Sequence, residues 1–139
     1  MKIELKLIEK TMFIIVLLLN MSISNAKEQK TFNELWEIES NKSGGHLTNP
    51  QMQELYDNEY KRVDKLLNEA YKKVIKNFNG DKKEITNLKK SQIFWIKYKE
   101  SECYAQAYPM RDGTGEYTMI LPCLIELTEQ RTKILKKNY

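Results

Sequence analysis

The sequence predicts an all-α fold: three main antiparallel helices in an up-down-up bundle, with two cysteines placed to staple the connection between the second and third. Three observations lead there. Apolar residues recur at steps of three and four in three long segments, which is the helical period. No stretch of useful length alternates apolar and polar residues as a half-buried strand does. The only two cysteines, Cys103 and Cys123, sit one on each of the last two helical segments, with a glycine-containing loop between them.

The first 26 residues read as a secretory signal. Lys2, Lys6 and Lys10 make the start net positive, Phe13 to Leu19 is an unbroken apolar run, and Ser24-Asn25-Ala26 places small residues at a cleavage site. The run is far shorter than the roughly 18–20 residues of a membrane-spanning helix. No cysteine follows it to take a lipid, so the expectation is a periplasmic or secreted protein with no membrane anchor after cleavage. What remains, residues 27–139, suits one domain. Cleavage removes three Lys and two Glu, lowering the formal charge of +4 by one. That mild excess, spread over mixed-sign faces, is no nucleic-acid-binding charge.

Residues 27–47 read as an N-terminal arm or short helix carrying Phe32, Leu35, Trp36 and Ile38, and Ser40 to Gly45 reads as a linker. The domain proper is expected at 48–139. Its first helix starts at Thr48-Asn49-Pro50, where Thr48 or Asn49 caps and Pro50 suits the first turn. The stripe is Met52, Tyr56, Tyr60, Val63, Leu67, Ala70, Val74 and Phe78, and Asn79-Gly80 stops it. The second helix follows Asp81, with Glu84 three residues on as a capping-box variant. Its stripe of Ile85, Leu88, Gln92, Trp95, Ile96, Lys99 and Cys103 is interrupted by two polar residues. Tyr108-Pro109 and Asp112-Gly113 mark a loop. The third helix spans about Glu116 to Lys136, through Tyr117, Ile120, Leu121, Leu124, Thr128, Arg131 and Leu135; Pro122 is expected to kink it or delay its start.

An exported chain meets an oxidising compartment, which favours pairing of Cys103 with Cys123 over free thiols or a metal. One histidine, His46, cannot complete a usual zinc set, and no metal or other cofactor is expected. His46 has no nucleophile motif around it and reads as a solvated loop residue. No phosphate loop, Ca²⁺ loop or dinucleotide fingerprint is present, and no catalytic set can be assembled, so the expectation is a protein that binds and does not catalyse.

Asn68, beside Tyr71, then Gln92 and Arg131 are polar residues on otherwise apolar stripes. Buried, they must be paired, and the expectation is one shared hydrogen-bond network that sets helix register. Glu100, Glu102 and Asp112 are the candidate counter-ions of Arg131. Trp95 is expected in the core under the cysteines, and Tyr56, Tyr60, Tyr71, Tyr98 and Tyr117 as core or half-buried packing. The loop from Ala105 to Glu116 carries Tyr108, Met110 and Arg111, a candidate recognition tip.

The series Leu67-Asn68-x-x-Tyr71, Leu88-x-x-Ser91-Gln92-x-x-Trp95-Ile96-x-Tyr98-x-x-x-x-Cys103, Gly113-Thr114-Gly115 and Cys123-x-x-x-x-Thr128-x-x-Arg131-x-x-x-Leu135 resembles the lysozyme-inhibitor LprI N-terminal domain family over roughly Gln53 to Leu135. The resemblance implies a small exported helical domain, a bond between Cys103 and Cys123, and signature roles for Gln92, Trp95 and Arg131. The chain departs from the family in three places. It lacks the further cysteine pair near the mature N-terminus. Lys99 stands where an arginine is usual, and Gly113-Thr114-Gly115 replaces a glycine pair. The implied partner is a protein, lysozyme. An endogenous envelope protein or peptidoglycan is the alternative partner.

Overall fold

The computed structural model describes residues 30–139, so the expected signal at 1–26 lies outside it. The described residues form four helices and no strand: α1 (Phe32–Lys42), α2 (Asn49–Asn77), α3 (Lys82–Gln106) and α4 (Glu116–Asn138), with a 3₁₀ turn at Tyr108–Met110. The region expected as an arm or short helix therefore contributes an 11-residue helix, and the cysteines join the third and fourth helices.

Local chemistry explains the boundaries. Thr48 is the N-cap of α2. Its backbone N–H donates to Gln51 Oε1 at 2.9 Å, the reciprocal arm of a capping box, and Gln51 Nε2 donates to Ser43 Oγ at 2.8 Å, which ties the end of α1 to the start of α2. Asn79 and Gly80 have φ of +49° and +86°. Glycine adopts such values without penalty and asparagine with little, so this pair turns the chain out of α2. Asp81 Oδ1 then accepts the Lys83 and Glu84 amides at 2.9 and 3.1 Å. Asp81→Ala should cost about 1 kcal/mol, read as a lower urea midpoint at unchanged slope. At α4 the expectation of a delayed start fails. The helix runs from Glu116 straight through Pro122, which lacks the amide that would bond the Thr118 carbonyl.

The core is built on α4, which packs broadly against α2 and more narrowly against α3, while α2 and α3 hardly touch. Leu67, Ala70 and Val74 of α2, Leu88 of α3 and Leu135 of α4 form one buried cluster, flanked by Tyr71, Ile75, Phe78 and Trp95. A second cluster gathers Cys103, Ala107 and Ile120, flanked by Cys123, Leu124 and Leu127. Trp95 thus belongs to the first cluster and does not lie under the disulfide. It stands eight residues before Cys103, roughly 12 Å along the helix. Facing partners descend α4 as they ascend α3: Gln92 meets Arg131, Lys99 meets Thr128, and Cys103 meets Cys123.

The stripe of α2 is as expected from Val63 onward, but before it Leu55 and Glu59 are buried, while Met52, Tyr56 and Tyr60 are only half-buried. Glu59 tolerates burial because Arg62 grips it with two hydrogen bonds, of 2.8 and 2.6 Å, and Arg62 also reaches Glu129 of α4 at 3.7 Å. The Glu59 hydrogen bond holds the Arg62 guanidinium above its usual pKa. Phe32 and Trp36 of α1 pack on Tyr56, with ring centroids 5.3 and 5.6 Å away. That burial raises the Tyr56 phenol above its ordinary value. Tyr98 and Tyr117, expected as core or half-buried, are both 54% exposed.

Candidate functional site

The residues singled out by sequence fall in two places. The first is a cavity of about 440 Å³ in the gap between α2 and α3, whose lining includes Asn68, Tyr71, Gln92 and Trp95. Each helix packs on α4 rather than on the other, which leaves this gap open. A cavity of about 560 Å³ near the ends of α2 and α4 is larger, but its lining holds none of these positions.

The base of the gap is set by Lys99, which is only 4% exposed. Its Nζ donates to the Tyr60 hydroxyl at 2.8 Å and more weakly to Thr128 Oγ1 at 3.5 Å. It also lies 5.0 Å from the Tyr60 ring centroid and 4.8 Å from that of Trp95. Aromatic faces and hydroxyls thus hold the ammonium, and no described ion pair joins it to a carboxylate. Thr128 has no exposed surface, and its own hydroxyl donates to the Leu124 carbonyl at 2.6 Å.

Arg131 reaches the same wall from α4. Its Nε donates to Gln92 Oε1 at 3.1 Å and a terminal nitrogen donates to Ser91 Oγ at 2.9 Å. None of the expected counter-ions, Glu100, Glu102 or Asp112, forms an ion pair with it among those described. Desolvation lowers the pKa of the guanidinium, and negative charge at Tyr139 partly offsets this. Asn68 stands apart from this pair. It is exposed, and its amide donates to the Asp64 carbonyl and to Asp64 Oδ2, both at 2.9 Å. The expected three-residue network is therefore a two-residue link plus Ser91. Asn68 shares the cavity wall without joining the link, because a side chain one turn away satisfies it first.

The second place is the loop after α3. Cys103 and Cys123 are bonded, with Cα atoms 5.5 Å apart, and the segment between them carries Tyr108 at 68% exposure and Met110 at 46%. Arg111 is exposed, its guanidinium carbon 5.3 Å from the Tyr108 ring centroid. The loop is held internally as well. Gly113 N–H donates to the Met110 carbonyl at 3.0 Å, and a Cβ at Gly113 would press to 3.0 Å of that same oxygen. Asn49 at the start of α2 donates to Thr114 Oγ1 at 3.4 Å.

The cavity pairs a buried cation with aromatic walls and amide groups, and the loop offers an exposed aromatic and a guanidinium. The described residues hold no group of His, Cys, Asp and Glu side chains fit for a metal, and His46 is exposed. Spacing alone gives no hint of Tyr60 or Ser91 as partners here, since each is read only when two helices are brought to register. A hydroxyl on an apolar stripe is the one usable signal, and Thr128 carries it.

Comparison with known proteins adds three findings. The family model described as lysozyme inhibitor LprI matches residues 40–135. An uncharacterized protein of Rhizobium meliloti (strain 1021) is 32% identical over 92 residues, covering 58% of this chain and 66% of the relative, so the chain spans just under two thirds of that relative's length. No solved structure matches the chain.

Proposed function

The chain belongs to the lysozyme inhibitor LprI family, and from that premise we propose that it is an exported, non-enzymatic binding protein that inhibits lysozyme by direct contact. The proposal takes 1–26 as a cleaved leader, 27–47 as an arm containing α1, and 48–139 as the binding domain on an up-down-up arrangement of α2, α3 and α4. Its place of action is the periplasm or the medium. No helix among the described residues is long and apolar enough to cross a membrane.

The observation that carries the proposal is the family match, and the loop at Tyr108, Met110 and Arg111 is the surface that fits it. A lysozyme cleft carries two carboxylates. A guanidinium is the side chain best shaped to bridge carboxylate oxygens. A loop already ordered by its disulfide loses little entropy on docking. The chain is mildly basic, so attraction to a basic lysozyme has to be local, at the carboxylates, and not a long-range steering effect.

The test is cell-wall lysis by several lysozymes with and without the mature protein. Inhibition at micromolar protein is expected, and Arg111→Ala should weaken it about tenfold, the worth of one charged hydrogen bond, with no change in melting temperature. Lysis rates that stay unchanged across all the lysozymes at micromolar excess would overturn the reading. The cavity lined by Tyr71, Gln92 and Trp95 lies apart from this loop. It favours a second reading, an envelope module that takes an endogenous protein or peptidoglycan fragment. Recovery of a single endogenous partner from periplasmic extract, with no effect on lysozyme, would select it.

A further inference from the structure

Helix α3 turns one side to the core and shows aromatic rings among lysines on the other. Leu88, Gln92, Trp95, Lys99 and Cys103 turn toward the rest of the bundle and are buried or half-buried. At 100° per residue the opposite side carries Lys83, Lys90, Phe94, Lys97, Tyr98 and Tyr104, all exposed. Phe94 is 69% exposed, Tyr98 54% and Tyr104 58%. Ile93, at 54%, borders them, and Tyr108, at 68%, continues the row past the end of the helix. The three carboxylates of α3, Glu84, Glu100 and Glu102, fall roughly a quarter-turn or more from the centre of this face by the same geometry. A ridge of aromatic rings is therefore interleaved with lysines and free of α3 acid.

We propose that this outer face of α3 seats the protein on an anionic phospholipid surface. Phe94, Tyr98 and Tyr104 enter the headgroup region while Lys83, Lys90 and Lys97 pair with lipid phosphates. Aromatic rings with a polar edge partition to the bilayer interface. Lysine stems lie along apolar surface and lift their ammonium groups to the phosphates. Rings and ammonium groups thus share one face of a helix whose other side is already anchored in the core. A protein partner fits less well. Lys83, Lys90 and Lys97 run along the middle of the face, and lysine is depleted at the centre of protein interfaces. Insertion in a bilayer needs no complementary groove. The proposal does not need the lysozyme reading: Tyr108 borders both surfaces, and the residues varied below all lie outside the loop.

The test is co-sedimentation with vesicles of phosphatidylglycerol and phosphatidylethanolamine, against vesicles of phosphatidylcholine alone. Wild type and variants are prepared in the same leader-free form. Wild type should partition to the anionic vesicles at least tenfold more strongly than to the neutral ones, and 0.5 M salt should remove most of that difference. Phe94→Ser with Tyr98→Ser should lose at least tenfold of the binding. So should Lys90→Gln with Lys97→Gln, which removes charge and keeps the rings. All four positions are solvent-exposed, so thermal melts of both variants should match wild type, and lysozyme inhibition should not change. Equal binding to neutral and anionic vesicles, no binding at all, or binding that survives both double variants would overturn the proposal. So would sedimentation velocity showing that the ring variant abolishes self-association of the protein, which would assign the face to a second copy.

Discussion

Replacing both cysteines, Cys103→Ala with Cys123→Ala, is expected to destabilise the domain by about 3 kcal/mol. The bond closes a segment of 20 residues, and on the chain-entropy account a loop of that length costs the unfolded chain about 3 kcal/mol of freedom. On the native side, removing two sulfurs from the cluster of Cys103, Ala107 and Ile120 leaves a small void that adds to this loss. A loss of that size is a large part of the roughly 5–15 kcal/mol that holds a typical domain together. It should appear as a fall of roughly 10–20 °C in melting temperature, and a reductant acting on wild type should reproduce most of it. The functional consequence follows from the same bond. Tyr108, Met110 and Arg111 hang from a segment pinned at both ends, so the proposed inhibition of lysozyme should weaken in the double variant even at temperatures where it is folded. An unchanged melting temperature would mean that the loop is ordered by its other ties, the Gly113 turn and the Asn49–Thr114 hydrogen bond.

Leu135→Ala is expected to cost about 3–4 kcal/mol. Leu135 is 1% exposed and sits where α2, α3 and α4 meet, against Leu67, Ala70, Val74 and Leu88. Its neighbours belong to three separate rods, so a void left there closes only if whole helices shift, and much of the cavity persists. The neighbouring residue supplies the control. Ile134 is 45% exposed, and Ile134→Ala should stay within about 0.5 kcal/mol of wild type. A chemical-denaturation series that fails to separate positions 134 and 135 would place the α4 register differently. Leu135 and the disulfide lie in different clusters, so combining the two changes should give an additive loss.

The cavity between α2 and α3 gains its character from the same architecture. Two helices that each pack on α4 leave a cleft, and Lys99 fills its base. An ammonium fits between the Tyr60 and Trp95 rings with its remaining contacts made by hydroxyls. The Gln92–Arg131 link braces the wall behind it.

How much of this was legible in the chain depends on the range of the physics involved. Helix existence and most ends were readable because they are local. Thr48 and Asp81 cap within their own first turns, Asn79-Gly80 supplies the left-handed turn, and the apolar steps from Val63 to Val74 mark one face of one rod. The two cysteines, in a chain expected from its first residues to be exported, already pointed at each other. Burial was less readable where a polar residue needed a partner from elsewhere. Glu59 is gripped by Arg62, which is itself held from α4 by Glu129, and the stripe through Tyr56 and Tyr60 drifts outward because α1 and Lys99 claim those rings instead.

By itself, then, the sequence determined an all-helical domain, the helix boundaries to within a turn, and the residues able to bond as a disulfide. Each of these follows from groups within a few positions of one another. Only the tertiary structure decided that Arg131 answers Gln92 and Ser91 and not a carboxylate, that Asn68 turns back on Asp64, that Trp95 belongs to the cluster away from the disulfide, and that α3 shows an aromatic face to solvent. Those outcomes depend on the rotation and offset of one helix against another, and a repeat of three and four residues leaves both free.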